Sequence, residues 1–422
     1  MKHFQRWIVA CQLIAVAVVT GIGASVIAAD STSPQDLVTD FWRASNAEER
    51  AASRARLLEA SDDVNELYQW LKTGPLYSAD EQKGLLMQSR AGINRVEFPY
   101  AVSIPDSYDP AAPNAVEFLL HGGVGRPEPE TGVDFFQQTI EGTADDARII
   151  VVPAGWQDAS WWHENQAENI PSILDSLKRR YNIDENRVTL AGISDGGTGT
   201  YFFAFKQPTE WAAFMPYIGY PALLRYARSG GYNLHFENLI NKPLYIVSGG
   251  ADPLYSVSTV ASFIEVLREA GVKHTWRVIE NGGHDTHWYA EERAALEQFR
   301  QASPRDPLPD RVQWVADRAN RFNRNHWIVI TQLRRPSQPG FLRASREGNV
   351  FDVTARGVSR FTLLLSPEEV DFGLPVTVRI NGVEFSQAVM AQSRETLLKW
   401  ARTDLDRTML FTAELPIVVP RP

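Results

Sequence analysis

Hydrophobic and polar positions change their rhythm three times along the chain. Over residues 34–90 the apolar residues of "LVTDFWRASNAEERAASRARLLEASDDVNELYQWLK" recur at intervals of three and four, which predicts an N-terminal helical region (30–92) broken at Gly74-Pro75. From about Ile93 short apolar runs take over. They are "RVEFPYAVSIP", "AVEFLLHGG", "ARIIVVPAGW", "RVTLAGIS", "AAFMPYIGY", "KPLYIVSGGAD" and "HTWRVIENGGHD". Helical stretches are expected between them, near 169–181, 256–270 and 288–301. Apolar strands alternating with helices predict an α/β class domain over 93–302, a mostly parallel sheet covered on both faces. Such a sheet carries its functional loops at the carboxyl ends of its strands. "SPRDPLPD" (303–310) holds three prolines and reads as a linker. Beyond it "VFDVTARGVSRFTLLL" and "LPVTVRINGVEF", with Asn381-Gly382 at a tight turn, predict a small C-terminal β-sandwich-like domain over 311–422.

The first residues follow a different logic. Lys2 and Arg6 precede an apolar run from Trp7 to Ala29, and Ile27-Ala28-Ala29 offers small residues before Asp30. This predicts a signal peptide over 1–29 and an exported protein, periplasmic or extracellular; an uncleaved anchor is the alternative. Cys11, the single cysteine, falls inside that segment, so a mature chain would hold no disulfide, thiol nucleophile or thiolate metal site. The formal charge is −9 with no Lys/Arg block, which argues against nucleic acid or an anionic membrane as partner.

Candidate chemistry centres on Gly192-Ile193-Ser194-Asp195-Gly196, a G-x-S-x-G string between an apolar strand and a helix. Glycines are needed where a sharp strand-to-helix turn crowds the backbone and lifts a serine hydroxyl above the sheet edge. A serine becomes a nucleophile only when a histidine takes its proton and a carboxylate orients that histidine. Asp252 and then His284 follow the next two apolar strands, in the order Ser, acid, His. His287 is the rival base, and Gly282-Gly283 favours His284 by freeing the backbone at the strand end. "LLHGGVG" (119–125) ends an earlier strand, where an oxyanion loop belongs. The expected donors are the backbone N–H of Asp195 and one from Gly122, Gly123 or Val124.

These residues resemble the α/β-hydrolase superfamily, and most of all exported esterases related to polyhydroxybutyrate depolymerases and acetylxylan or feruloyl esterases. The likeness rests on His-Gly-Gly, the G-x-S-x-G-G elbow, and Asp and His after the last strands, and it covers about 93–302. It implies a serine esterase that needs no cofactor and acts on a small or polymeric ester. Asp195 departs from the small or apolar residue often found after the nucleophile.

"GWQDASWWHEN" gathers Trp156, Trp161 and Trp162 after a strand, and Trp288 follows the histidine candidate. They are read as a platform for a sugar or aryl group, with simple packing as the alternative. Three rival functions remain at this level. A metal hydrolase would draw on His284, Asp285 and His287 with His121 or His163, yet no H-E-x-x-H or cysteine pair is present. A serine exopeptidase shares the elbow, and a non-catalytic carbohydrate-binding protein would leave the elbow idle.

Overall fold

Strands buried on both faces read as near-continuous apolar runs, and this dictates where the centre of the sheet lies. Ile149–Pro153, Ala213–Tyr217 and Leu244–Gly249 are buried throughout. In the computed structural model, which describes residues 33–92, 95–141 and 148–420, they are β4, β6 and β7 of an eight-stranded sheet. The other members are β1 (Gly84–Ala91), β2 (Glu97–Ile104), β3 (Asn114–Leu120), β5 (Ile183–Ile193) and β8 (His274–Ile279). The order is β1-β2-β4-β3-β5-β6-β7-β8, with β1 and β2 antiparallel to their neighbours and the rest parallel. With helices interleaved between its parallel strands this is the α/β-hydrolase fold. The carboxyl ends of β3, β5, β7 and β8 carry the four motifs singled out above.

The helices are α1 (Pro34–Arg43), α2 (Ala47–Ala60), α3 (Val64–Thr73), α4 (Val133–Glu141), α5 (Glu164–Arg180), α6 (Asp195–Lys206), α7 (Val257–Glu269), α8 (Tyr289–Gln301) and α9 (Arg394–Asp404). The N-terminal helical region stops at Thr73, earlier than the sequence pattern suggests. Residues 84–91, expected to be helical, form the edge strand β1, paired along its length with β2 and half-buried at alternate positions. An unfilled sheet edge outweighs the weak strand propensity of "GLLMQSRA". The expected signal segment, with Cys11, lies outside the described residues. No helix of the described residues is long and apolar enough to cross a membrane.

The C-terminal region is a pair of sheets, as the turn pattern predicts, with a helix added. β10 (Arg324–Asn325), β11 (Ile328–Leu333), β14 (Val358–Leu365) and β17 (Ala413–Val418) form one sheet. β9 (Arg311–Ala316), β12 (Gly340–Glu347), β13 (Val350–Arg356), β15 (Val376–Ile380) and β16 (Val383–Ala388) form the other. A common core of Trp314, Ile328, Leu342, Phe361 and Val378 lies between them. Asn381 and Gly382 both take positive φ in the β15–β16 turn.

Residues 303–310 are not a free linker. Arg305 is buried and pairs with Asp406 at 2.5 Å, while its other nitrogens reach Asn186 and the Thr209 carbonyl. Lys206, at the end of α6, pairs with Asp317 beyond β9 at 2.9 Å, and Arg407 pairs with Glu185 of β5. The N-terminal helices pack their Leu37, Phe41, Trp42 and Leu71 against Leu397, Leu398 and Ala401 of α9. The N-terminal helices and α9 therefore cover each other, and the described residues from Pro34 onward form one compact unit.

The four tryptophans expected to bind substrate are in the core, with Trp161 fully buried and the others nearly so. Trp161 lies across Gly155 and Gly199, where any added Cβ would strike the indole. Trp156 stacks on Phe98, and Trp288 meets Tyr217 edge-on. Each indole has more apolar surface to bury than the loop can leave exposed without a partner. Truncating Trp161 to Ala opens a cavity where two glycines have made room, and should destabilise the protein by about 3–5 kcal/mol. Thermal or denaturant melts read this directly; an unchanged midpoint would place the indole outside the core.

Burial works against ionising the Asp406 carboxyl, but Arg305 and Lys178 outweigh it and hold its pKa down at about 2. A depressed carboxyl stabilises the fold above its unfolded pKa of about 4, and the contribution fades as pH falls towards the folded value. Asp406→Ala leaves a buried guanidinium without its carboxylate, for which about 3–5 kcal/mol is expected near neutral pH. The gap to the parent should narrow in acid; a pH-independent gap would contradict the ion-pair account.

Candidate functional site

β5 runs straight into Ser194, and α6 starts at the next residue. Ser194 has φ +57° and ψ −116°, outside the regions a side chain normally allows. Ser194 N–H donates to the Tyr217 carbonyl at 3.0 Å, and Thr198 N–H donates to the Ser194 carbonyl at 2.9 Å. The flanking glycines have the crowding reason expected of them. A Cβ on Gly192 would strike the Gly196 carbonyl, and one on Gly196 would strike the Leu120 carbonyl.

Two further strand ends meet this serine. Asp252 follows β7 and His284 follows β8, and Ala251 N–H donates to the Gly282 carbonyl at 2.9 Å, tying the two loops together. His284 Nε2 lies 2.7 Å from Ser194 Oγ and its Nδ1 lies 2.8 Å from Asp252 Oδ2. Asp252 Oδ1 accepts the N–H groups of Leu254 at 2.7 Å and Tyr255 at 3.0 Å. The carboxylate is thus buried, fixed on one oxygen by its own loop, and free to hold the imidazole with the other. With Asp252 accepting from Nδ1–H, Nε2 carries the lone pair that faces the hydroxyl. His287 does not join them: its side chain is 94% exposed and pairs with Asp285.

The His-Gly-Gly loop after β3 closes the site from the other side. A Cβ on Gly122 would sit 3.1 Å from Ser194 Cβ, so the loop touches the nucleophile. His121 is half-buried, and the desolvation of its ring holds its pKa below the ordinary value, which favours the neutral form. Its Nε2 accepts Gly155 N–H at 2.9 Å, so Nδ1 carries the proton and donates to the Gly122 carbonyl at 2.7 Å. Trp161 Nε1–H donates to the His121 carbonyl at 2.9 Å, so one of the four core indoles supports the loop from beneath. Among the described residues the N–H groups of Gly122 and Gly123 have no protein acceptor, and Asp195, first in α6, has no intrahelical acceptor for its own. Val124 N–H, the third candidate donor of the loop, is taken by Asp195 Oδ2 at 3.0 Å.

Three neighbouring residues are not foreseen from the sequence. The Tyr255 ring meets His284 edge-on at 5.3 Å, and Tyr220 lies 5.8 Å beyond Tyr255. Burial, reinforced by the nearby carboxylates of Asp195 and Asp252, pushes the Tyr255 phenol up to about 12, so it stays neutral. Tyr220 also lines a groove of about 640 Å³ with Arg225, Phe236, Phe263 and, from the connection between β11 and β12, Pro339. The exposed Arg126 reaches over Gly123. Their one signal in the sequence is position, since Tyr220 and Tyr255 both follow the ends of central strands. The histidines of the rival metal reading are not gathered, because His121 and His284 commit both ring nitrogens to the contacts above. Among the described residues no group of three or more His, Cys, Asp or Glu is arranged to hold a metal ion.

No family model matches the chain. In sequence it is 35% identical over 126 residues to a bifunctional acetylxylan esterase/xylanase of Neocallimastix patriciarum, which covers 29% of this chain and 17% of that protein. It is 26% identical over 166 residues to feruloyl esterase C of Emericella nidulans, covering 38% of this chain and 60% of that one. The chain thus spans less than two thirds of either curated relative. Among solved structures a thermostable esterase superposes with a TM-score of 0.43 at 21% identity, over 52% of this chain and 63% of the other. A dipeptidyl peptidase 4 of Porphyromonas gingivalis superposes with a TM-score of 0.43 at 14% identity, over 53% of this chain and 36% of the other. The chain has the α/β-hydrolase fold and, in part of its length, is similar in sequence to acetylxylan and feruloyl esterases.

Proposed function

We propose that the protein is a serine hydrolase of carboxylic esters, with Ser194 as nucleophile, His284 as general base and Asp252 as the group that orients it. The observation that carries this reading is the unbroken line from Asp252 Oδ2 through His284 to Ser194 Oγ, 2.8 and 2.7 Å long. Nε2 takes the hydroxyl proton as Oγ adds to the ester carbonyl. The oxyanion of the tetrahedral intermediate is received by Asp195 N–H and by Gly122 or Gly123 N–H, which are held in place before the reaction starts. His284 then gives its proton to the departing alkoxide, leaving an acyl-enzyme at Ser194. A water, deprotonated by the same nitrogen, then adds to the acyl carbon, and as the acyl–Oγ bond breaks His284 returns that proton to Ser194 Oγ and the acid is released.

Polysaccharide-linked or polyester substrates are the preferred class, in an exported protein. Support comes from the named activities of the two sequence relatives, the groove beside Tyr220, and the apolar run over 7–29. The buried tryptophans take no part in this choice. Tyr220, Tyr255 and the groove assume the role of reading the substrate.

Ser194→Ala should abolish hydrolysis of p-nitrophenyl acetate and covalent labelling by a fluorophosphonate. His284→Ala should lower kcat by several orders of magnitude, whereas His287→Ala should stay near the parent value. Equal losses in the two histidine variants, or labelling that survives removal of the Ser194 hydroxyl, would overturn the assignment. Acetyl, feruloyl, hydroxybutyryl and aminoacyl substrates compared on one preparation would rank the acyl classes.

A further inference from the structure

We infer that the Asp195 side chain is a positioning residue, a clamp that fixes the peptide planes around Gly123 in the oxyanion loop. The inference rests on the ester-hydrolase reading and goes beyond it by assigning a task to a side chain that the Ser-His-Asp line leaves unused. Between Gly122 and Val124 the backbone has two adjacent glycines, and Gly123 takes φ +74°. Such a segment resists rotation less than any other pair of residues would. A donor that must await an oxyanion needs the opposite property, a fixed direction.

Two side chains supply it, one on each side of Gly123. Upstream, His121 Nδ1–H holds the Gly122 carbonyl at 2.7 Å. A trans peptide is planar, so fixing that carbonyl also fixes Gly123 N–H, which points the opposite way. Downstream, Asp195 Oδ2 accepts Val124 N–H at 3.0 Å and fixes the next peptide plane. Val124 is itself fully buried, so this N–H has no water to turn to if the carboxylate is removed. The clamp also joins the loop to the elbow. Asp195 is covalently next to Ser194 and contributes one oxyanion donor through its own N–H, so the two donors are held at one mutual distance.

A carboxylate beside a hole built for an oxygen anion is otherwise unfavourable, since like charges repel. Two features offset it here: the position in the first turn of α6, where the helix dipole favours a negative group, and the strong N–H···O⁻ bond to Val124. The clamp needs an acceptor, not a charge. That distinction separates it from a role for Asp195 in tuning His284, and from simple packing.

The test uses the full chain and three substitutions. Asp195→Ala and Asp195→Leu remove the acceptor, the second at nearly constant shape, and Asp195→Asn keeps an amide oxygen for Val124. With active sites counted by fluorophosphonate titration, kcat on p-nitrophenyl acetate should fall about 30- to 100-fold in Ala and Leu, with KM little changed. Asn should recover kcat to within about threefold of the parent. Exchange of the Val124 amide hydrogen should be fast in Ala and Leu and slow in the parent and Asn, and it reads the clamp whatever the substrate. Loss of kcat in Asn equal to that in Ala would assign the effect to charge and overturn the inference. Parent-like kcat or parent-like exchange in both Ala and Leu would overturn it as well. A parent that hydrolyses no ester in the panel, with the exchange pattern intact, would instead count against the hydrolase reading.

Discussion

Everything in this structure is arranged around one strained residue. Ser194 holds φ +57° at a junction where the strand before it and the helix after it meet with no room for side chains. Such a conformation costs about 1–3 kcal/mol and persists only where its surroundings over-determine it. Here they do. Tyr217, at the end of β6, accepts the Ser194 N–H, and Thr198, one turn into α6, donates to its carbonyl. The loops after β3, β7 and β8 then close on the raised hydroxyl from three sides. A parallel sheet buried on both faces is the rigid platform that allows this, because its central strands have no freedom to slide.

The clamp at Val124 and the core position of Trp161 serve the same end. Trp161 lies under the loop and holds the His121 carbonyl, His121 holds the Gly122 carbonyl, and Asp195 holds Val124 N–H. Each contact removes one rotation from a segment whose glycines would otherwise permit many. The order of the site is therefore a property of packing beneath it and not only of the groups that face a substrate. The covering of the N-terminal helices by α9, and the buried Arg305–Asp406 pair, extend that integration beyond the eight-stranded sheet.

Legibility of the sequence follows physical locality. The central strands and the loops at their ends are readable because a continuous apolar run that stops at glycine fits a buried strand better than any exposed element. Ser194, Asp252 and His284 follow from strand order, and the structure brings them into hydrogen-bonding contact. What escapes is whatever depends on a distant partner. "GLLMQSRA" is a strand because β2 offers an open edge. The three prolines of 303–310 mark irregular backbone, but nothing local says that Arg305 will find Asn186 and Asp406. "GWQDASWWHEN" places its indoles near a strand end without showing which way they turn, and Gly155 and Gly199 make the room that receives Trp161. Tyr220, Tyr255 and the Asp195 clamp are likewise invisible to spacing, since each is defined by contacts across different loops.

The central claim is a covalent intermediate at Ser194, and trapping it tests the account most directly. The protein is mixed with p-nitrophenyl acetate, quenched in acid before turnover is complete, digested, and its peptides are weighed. The account predicts a burst of one nitrophenol per active chain and the mass of one acetyl group on the peptide that carries Ser194. Rapid hydrolysis with no acetylated peptide at any quench time, or acetyl found reproducibly on another residue, would contradict it.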